Sequence, residues 1–324
     1  MPRLRICLAV FLFGLFPAGM LPSEANAQVS GGSATENDPG GFFLDGFAEA
    51  GAIHDSGSDD RYFRGSFNMG IRPTGGEGLG ATLGIELYDF NNAGLDLSGF
   101  YPALTYRSFL GSFSVGNPRS VVDAGYGPDI PFAHSTTAEV LTDLAFGSLV
   151  NAATLADHDS IGLRYDGGLG NAVIGASVHR IRIAGSRATE YAFAFSLPIT
   201  GSTIEQGLSM FGGAERRIRG DSRRLGFIFG AQLQRDRYRG MFRYRKTVLG
   251  PDTHLYEGRF EYLMSERVSL NLGLAHSRSG GTGTSFYGLG AAYEFNENGY
   301  IRGSILGGRN IDGPALDVSA GFRF

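Results

Sequence analysis

Cysteine is nearly absent and tryptophan wholly so: of 324 residues only Cys7 carries a thiol, and none carries an indole. Cys7 sits in an amino-terminal segment with the marks of an export signal. Arg3 and Arg5 make a basic start, residues 6–16 are almost unbroken apolar sequence, and Ala25-Asn26-Ala27 supplies the small-x-small site that a signal peptidase reads. The pattern predicts a signal peptide over 1–27 and a mature chain over 28–324. The apolar run falls short of the roughly 18 to 20 residues that span a bilayer, which argues against a membrane anchor. A mature chain without thiols excludes disulfides, thiolate catalysis and cysteine metal sites. Cys7 also lies at the beginning of the apolar run, where it cannot serve as a lipoprotein anchor.

Other absences narrow the function. No basic excess is present: without Arg3, Arg5 and Glu24 the totals of 28 basic and 32 acidic side chains become 26 and 31, so nothing suggests a nucleic-acid surface. His54, His134, His158, His179, His254 and His276 are scattered without ligand spacing. Gly111-Ser112-Phe113-Ser114-Val115-Gly116 lacks the glycine two residues before Ser114 that a nucleophile elbow needs. No catalytic constellation and no cofactor site emerges. Asp55, Asp59 and Asp60 cluster as oxygen ligands for calcium would, but without regular spacing. The metal expectation is therefore none.

What the chain has in abundance is glycine, 51 residues against a usual share of roughly 7%, with no collagen period. It also has strict alternation. Leu79, Ala81, Leu83, Ile85 and Leu87 share one face, with Gly80, Thr82, Gly84, Glu86 and Tyr88 on the other. The pattern recurs in Phe63 to Ile71, Tyr191 to Leu197, Leu225 to Leu233, Val268 to Leu274, Tyr287 to Phe295 and Leu316 to Phe324. Each segment is about ten residues, the length at which a tilted strand crosses a bilayer.

Short punctuators separate these segments: residues 73–76, 166–168, 198–201, 235–236 and 296–299. They alternate with longer polar links at 55–60, 91–98, 215–221 and 278–284. The count gives about sixteen strands, an even number as in bacterial outer-membrane barrels. A soluble sandwich shows the same alternation. Strand charge and the export signal decide for a transmembrane antiparallel β-barrel. In residues 237–247, RYRGMFRYRKT, Arg237, Arg239, Arg243 and Arg245 fall on one face. An arginine facing lipid near the midplane costs roughly 2 to 4 kcal/mol, so these must face an aqueous interior.

One link is out of scale. Residues 117–157 form a loop of about forty residues, far beyond ordinary length. Its first part is rich in Pro and Gly. Its second, residues 139–153, places Val140, Leu141, Leu144 and Leu149 at helical spacing, which predicts a short helix packed against the inner wall. The loop carries Asp123, Asp129, Glu139 and Asp143, while Arg64, Arg107 and Arg164 join Arg243 and Arg245 on polar strand faces, as do Arg259 and Arg302. A basic wall opposed by an acidic loop would set a transverse field across a narrow eyelet.

These residues resemble the general diffusion porins, particularly the short alphaproteobacterial type. The resemblance rests on the alternating terminal segment ALDVSAGFRF ending on Phe324, and on GSFSVGNPRS followed by the long loop, which look like a porin's fifth strand and third loop. It implies that the third loop folds into the lumen, with wall arginines Arg64, Arg107, Arg164, Arg243 and Arg245 facing loop acids Asp123, Asp129, Glu139 and Asp143. It further implies that Phe324 signals to the barrel assembly machinery, that the protein resides among outer-membrane lipids as a homotrimer, and that small hydrophilic solutes and ions diffuse through it passively. The loop motif Pro-Glu-Phe-Gly-Gly of enterobacterial porins is absent. A channel selective for one sugar or anion, and a closed structural or adhesive barrel, remain open as alternatives.

Overall fold

The computed structural model describes residues 40–324 apart from 58, 92–93, 124–125, 127–129, 184, 200–206, 251–252 and 310–312. The expected signal peptide and Asp129 lie outside the described residues. The strands are β1 (Gly41–His54), β2 (Asp59–Arg72), β3 (Gly78–Phe90), β4 (Leu95–Ser108), β5 (Gly111–Gly116), β6 (Ser160–Leu169), β7 (Ala172–Ile183) and β8 (Ser186–Pro198). They continue with β9 (Gly207–Arg219), β10 (Ser222–Arg235), β11 (Tyr238–Lys246), β12 (His254–Leu263), β13 (Val268–Ser279), β14 (Thr282–Glu294), β15 (Gly299–Gly308) and β16 (Ala315–Arg323). Each pairs antiparallel with its chain neighbours, and β1 pairs with β16, so all sixteen form one closed barrel with no free edge.

Side-chain alternation dictates the two surfaces. Leu79 is 77% exposed on the outer face. Leu163, Phe193, Leu225, Phe229, Leu274 and Leu289 are likewise exposed there, a band suited to hydrocarbon. The alternate positions, among them Glu49, Glu86, Glu190, Glu257 and Asp317, point inward and are buried. An apolar exterior and a charged interior invert the usual soluble arrangement.

The hairpins are tighter than the sequence suggests. Asp166-Gly167-Gly168 belongs to β6, and residues 215–219 and 278–279 remain in the ladder up to the tips at 220–221 and 280–281. Polar residues do not end a strand when its backbone still has a partner. β5 is short because the chain leaves the wall at Gly116, whose φ of 132° is open to glycine.

The long loop enters the lumen and carries two helices, α1 (Thr136–Phe146) and α2 (Leu149–Leu155), where the sequence predicts one. Gly147 leaves the helical conformation and Ser148 caps the second helix, its side chain accepting from the Asn151 N–H. The wall, together with Asp123 of the loop itself, supplies carboxylates to both amino termini. Asp317 accepts from the Thr137 N–H at 3.1 Å. Asp123, Glu215 and Glu190 accept from the consecutive N–H groups of Ser148, Leu149 and Val150 at 2.9, 2.9 and 3.0 Å. Negative charge at a helix amino terminus satisfies orphan donors and offsets the helix dipole.

Apolar contacts fasten the loop around the ring. Phe132, Ala138 and Phe146 pack on Leu255, Ala275 and Leu306 of β12, β13 and β15. Leu149 and Val150 meet Ile181 and Ala188 of β7 and β8, Val140 and Leu155 meet Tyr62, Tyr88 and Phe90 of β2 and β3, and Ile130 meets Phe211 and Met241 of β9 and β11. Each fully buried aliphatic contributes about 1.5 to 3 kcal/mol, which offsets the entropy of ordering the loop. Gly290 makes this seating possible: a Cβ there would lie 1.7 Å from the Ala133 carbonyl oxygen.

Candidate pore constriction

The candidate constriction lies where α1 passes the wall. Arg64 projects inward from β2 because it alternates with the outer-facing Phe63 and Gly65, and it donates to Glu139 at 2.8 Å. Arg302 of β15 approaches the same carboxylate at 3.8 Å, and also binds Glu49 and donates to the Thr136 hydroxyl. Burial alone would raise the Glu139 carboxyl; Arg302, Arg64 and Arg259 instead hold it at about 2. A second wall-to-loop bridge joins Arg245 of β11 to Asp123 at 3.2 Å. The structure thus brings together Arg64 with Glu139 and Arg245 with Asp123.

The other expected residues take different places. Arg164 donates to Asp166 on its own strand at 2.6 and 2.7 Å, and reaches the loop only through the Arg119 carbonyl at 3.4 Å. Arg243 is held by Glu257, at 2.5 Å, which Arg259 also binds at 2.6 Å. Arg107 lies one residue from the end of β4, beside a short turn rather than at the level of α1. Leu141 does not pack against the wall as its spacing implied; it is 60% exposed. Val140 and Leu144, four residues apart, take the wall-facing stripe, and Leu141 is turned into the lumen.

Asp143 shares that open face with Leu141 and Ala145. It is exposed to the water of the lumen, yet protein encloses that water. The enclosure raises its carboxyl to about 6, with Arg64 pulling the other way and Glu139 adding to the rise. The side chains of Arg239 and Arg243 on the wall and of Arg119 at the loop entrance keep 32%, 20% and 30% of their surface accessible. Water therefore reaches acids on α1 and guanidiniums on the wall.

Several contributors escape the sequence reading. Arg119, at the loop entrance, binds Glu86 of β3 and lies over the Tyr101 ring at 4.7 Å. The wall acids Glu49, Glu86, Glu257 and Glu261 each neutralise an arginine. Their lumen face follows from alternation, but their partners depend on strand register, which no local pattern shows. Asp59 of the acidic cluster binds His54 at 2.5 Å, and among the described residues no group of three His, Cys, Asp or Glu side chains converges to hold a metal ion.

Phe324 follows β16 directly. Its backbone N–H donates to the Gly46 carbonyl at 3.1 Å and its carbonyl accepts from the Gly46 N–H at 3.0 Å. Its ring packs 5.6 Å from that of Phe67 on the outer face.

No protein-family model matches the chain, and no curated protein matches it. Solved structures do. A porin refined at 1.8 Å resolution superposes with a TM-score of 0.61 at 15% identity, covering 87% of this chain and 100% of that one. A triple variant of Rhodopseudomonas blastica porin superposes with a TM-score of 0.61 at 14% identity and the same coverage. At such identity the likeness concerns architecture, and with the closed sixteen-stranded antiparallel barrel it gives the chain a porin fold.

Proposed function

We propose that this protein is an outer-membrane porin that passes small hydrophilic solutes and ions by passive diffusion through a lumen narrowed by residues 117–159. The observation that carries this reading is that the barrel interior holds exposed charge of both signs, Asp143 on the open face of α1 and the partly accessible Arg239 and Arg243 on the wall. Opposed charges at a narrow point orient dipolar solutes and disfavour apolar ones. The exterior apolar band fits contact with outer-membrane lipids, and homotrimeric assembly and insertion by the barrel assembly machinery belong to the same proposal. Purified protein in a planar bilayer is expected to give stepwise, non-saturating ion conductance.

A closed structural or adhesive barrel is the second reading. It is favoured by the burial of inward wall residues Glu49, His179, Glu190 and Glu257 under the loop. Absence of conductance from folded protein would decide for it.

A further inference from the structure

β5 is the shortest strand of the barrel, and the wall beside it is finished by other means. β4 pairs with β5 from Ala103 to Ser108, while Leu95 to Pro102 have β3 on one side and no described strand on the other. Pro102 explains where the pairing stops. Asn117 follows Gly116 into the rung opposite Pro102, and its backbone N–H donates to the Pro102 carbonyl at 2.7 Å. Proline has no N–H to return, so the rung is half made and the chain can turn inward after it. The next acceptor along β4 is the Phe100 carbonyl, which a continuing β5 would meet with the N–H of Arg119.

The Asn117 side chain meets it instead. Its Nδ2 donates to the Phe100 carbonyl at 2.8 Å and to the Thr154 hydroxyl of α2 at 3.4 Å, and its Oδ1 accepts from the Ser160 hydroxyl at the start of β6. One amide thus joins both sides of the gap and ties the place where the long loop leaves the wall to the place where it returns. The bonds need two donors and one acceptor in one short side chain. Aspartate would face the Phe100 carbonyl with a second acceptor, and leucine would make none of them. The residues that follow are fixed in turn. The fully buried His179 of β7 donates from Nε2 to the Pro118 carbonyl at 2.8 Å. Arg119, released from the ladder, binds Glu86 and lies over the Tyr101 ring. Tyr101 donates to Asn151 of α2 at 2.5 Å, and α2 lies so close to β4 that a Cβ on Gly99 would stand 3.2 Å from the Leu155 side chain. The helix therefore stands where the strand is missing.

We propose that Asn117 is a positioning residue for the candidate constriction: it stands in for the missing amide of β5, clamps the neck of the long loop, and so holds Arg119 and α2 steady on the lumen side. In a membrane wall a backbone carbonyl must find its donor within the protein, which gives the Phe100 bond its weight. The far part of the loop has its own anchors, Arg64 and Arg302 on Glu139 and the apolar contacts of Phe132, Ala138 and Phe146. Loosening the neck therefore leaves the loop inside the barrel but lets its near end fluctuate. Current through the pore reports that fluctuation, a readout that rests on the porin reading.

The test uses the full mature protein in planar bilayers. Asn117→Leu removes the side-chain bonds to Phe100, Thr154 and Ser160 at similar volume, Asn117→Asp keeps only the Ser160 bond, and T154V/S160A keeps only the Phe100 bond. Open-channel noise and brief substates are expected to rise several-fold in N117L and N117D and less in T154V/S160A. The temperature at which the barrel unfolds in detergent should move little, because the strand ladder is untouched. A merely structural role would do the reverse, lowering that temperature and leaving the noise alone. That outcome, or wild-type noise in a conducting N117L, would overturn the proposal. Amide hydrogen exchange gives a second reading that needs no current: residues 119–121 and 150–159 should exchange several-fold faster in N117D than in the wild type, with residues 136–146 unchanged. If the wild type does not conduct, the porin reading fails and exchange alone decides for the neck; unchanged exchange would refute it. Should N117L fail to fold, N117D and T154V/S160A carry the same comparisons.

Discussion

Replacing Asp143 by Asn isolates a single charge in the lumen. Asp143 is exposed to lumen water, in contrast to Glu139, whose carboxylate is fixed by Arg64 and Arg302. Its removal therefore changes the field without removing a buried ion-pair partner. A permeating ion about 5 Å away feels about 0.8 kcal/mol from one charge if the lumen behaves as bulk water, and about 3 kcal/mol at an effective dielectric of 20. The lower figure already corresponds to about a four-fold change in relative cation permeability. Because its carboxyl is raised to about 6, wild-type Asp143 is ionised at pH 8 and largely neutral at pH 5. Protonation removes negative charge, so cation preference is expected to fall as pH drops through about 6. The variant should show the low-pH selectivity throughout, with no step there. Reversal potentials in a salt gradient, measured from pH 8 to pH 5, provide the assay. A wild type without that step, or a variant that retains it, would show that Asp143 does not face the ion path.

Three further expectations follow from the same contacts. Glu139→Gln leaves Arg64 and Arg302 facing each other without their shared carboxylate, so thermal unfolding or loop proteolysis should reveal a loss of about 3 to 5 kcal/mol in loop anchoring, and selectivity should move towards anions. Val140→Ala should cost about 1 to 3 kcal/mol and Leu141→Ala well under 1, as read by urea unfolding, since only the first side chain is buried; equal costs would contradict the helix orientation. Deleting Phe324 removes both backbone bonds to Gly46, and folded barrel yield in the outer membrane should fall while export continues, measured by heat-dependent gel mobility.

Much of the barrel was legible because a two-residue period is a local signal. Leu79 to Leu87 and Tyr287 to Phe295 declare their faces without reference to any partner, and the lipid penalty on Arg243 and Arg245 tells which face is wet. The loop itself was legible as excess length, and its acids by charge. What could not be read is everything set by register and by the path of the loop. Arg64 and Glu139 lie 75 residues apart and meet because α1 crosses the barrel at the height of β2. Arg164 has the same local appearance as Arg64 but finds Asp166 two residues along its own strand. Leu141 departs from its expected place because helical spacing gives an apolar stripe without saying which edge of it the wall covers.

The closure of β1 on β16 also governs how such a chain can come into being. Gly46 and Phe324 bond across nearly the whole polypeptide, and the eight register pairs from Phe47 with Arg323 to His54 with Leu316 form only when the last strand exists. Until then every intermediate, however many hairpins it has zipped, exposes two unpaired margins and an apolar exterior, the combination that recruits other chains. Assembly of the ring is therefore all or nothing with respect to its final strand, and any helper that escorts the nascent protein gains most by shielding those two margins until they can find each other.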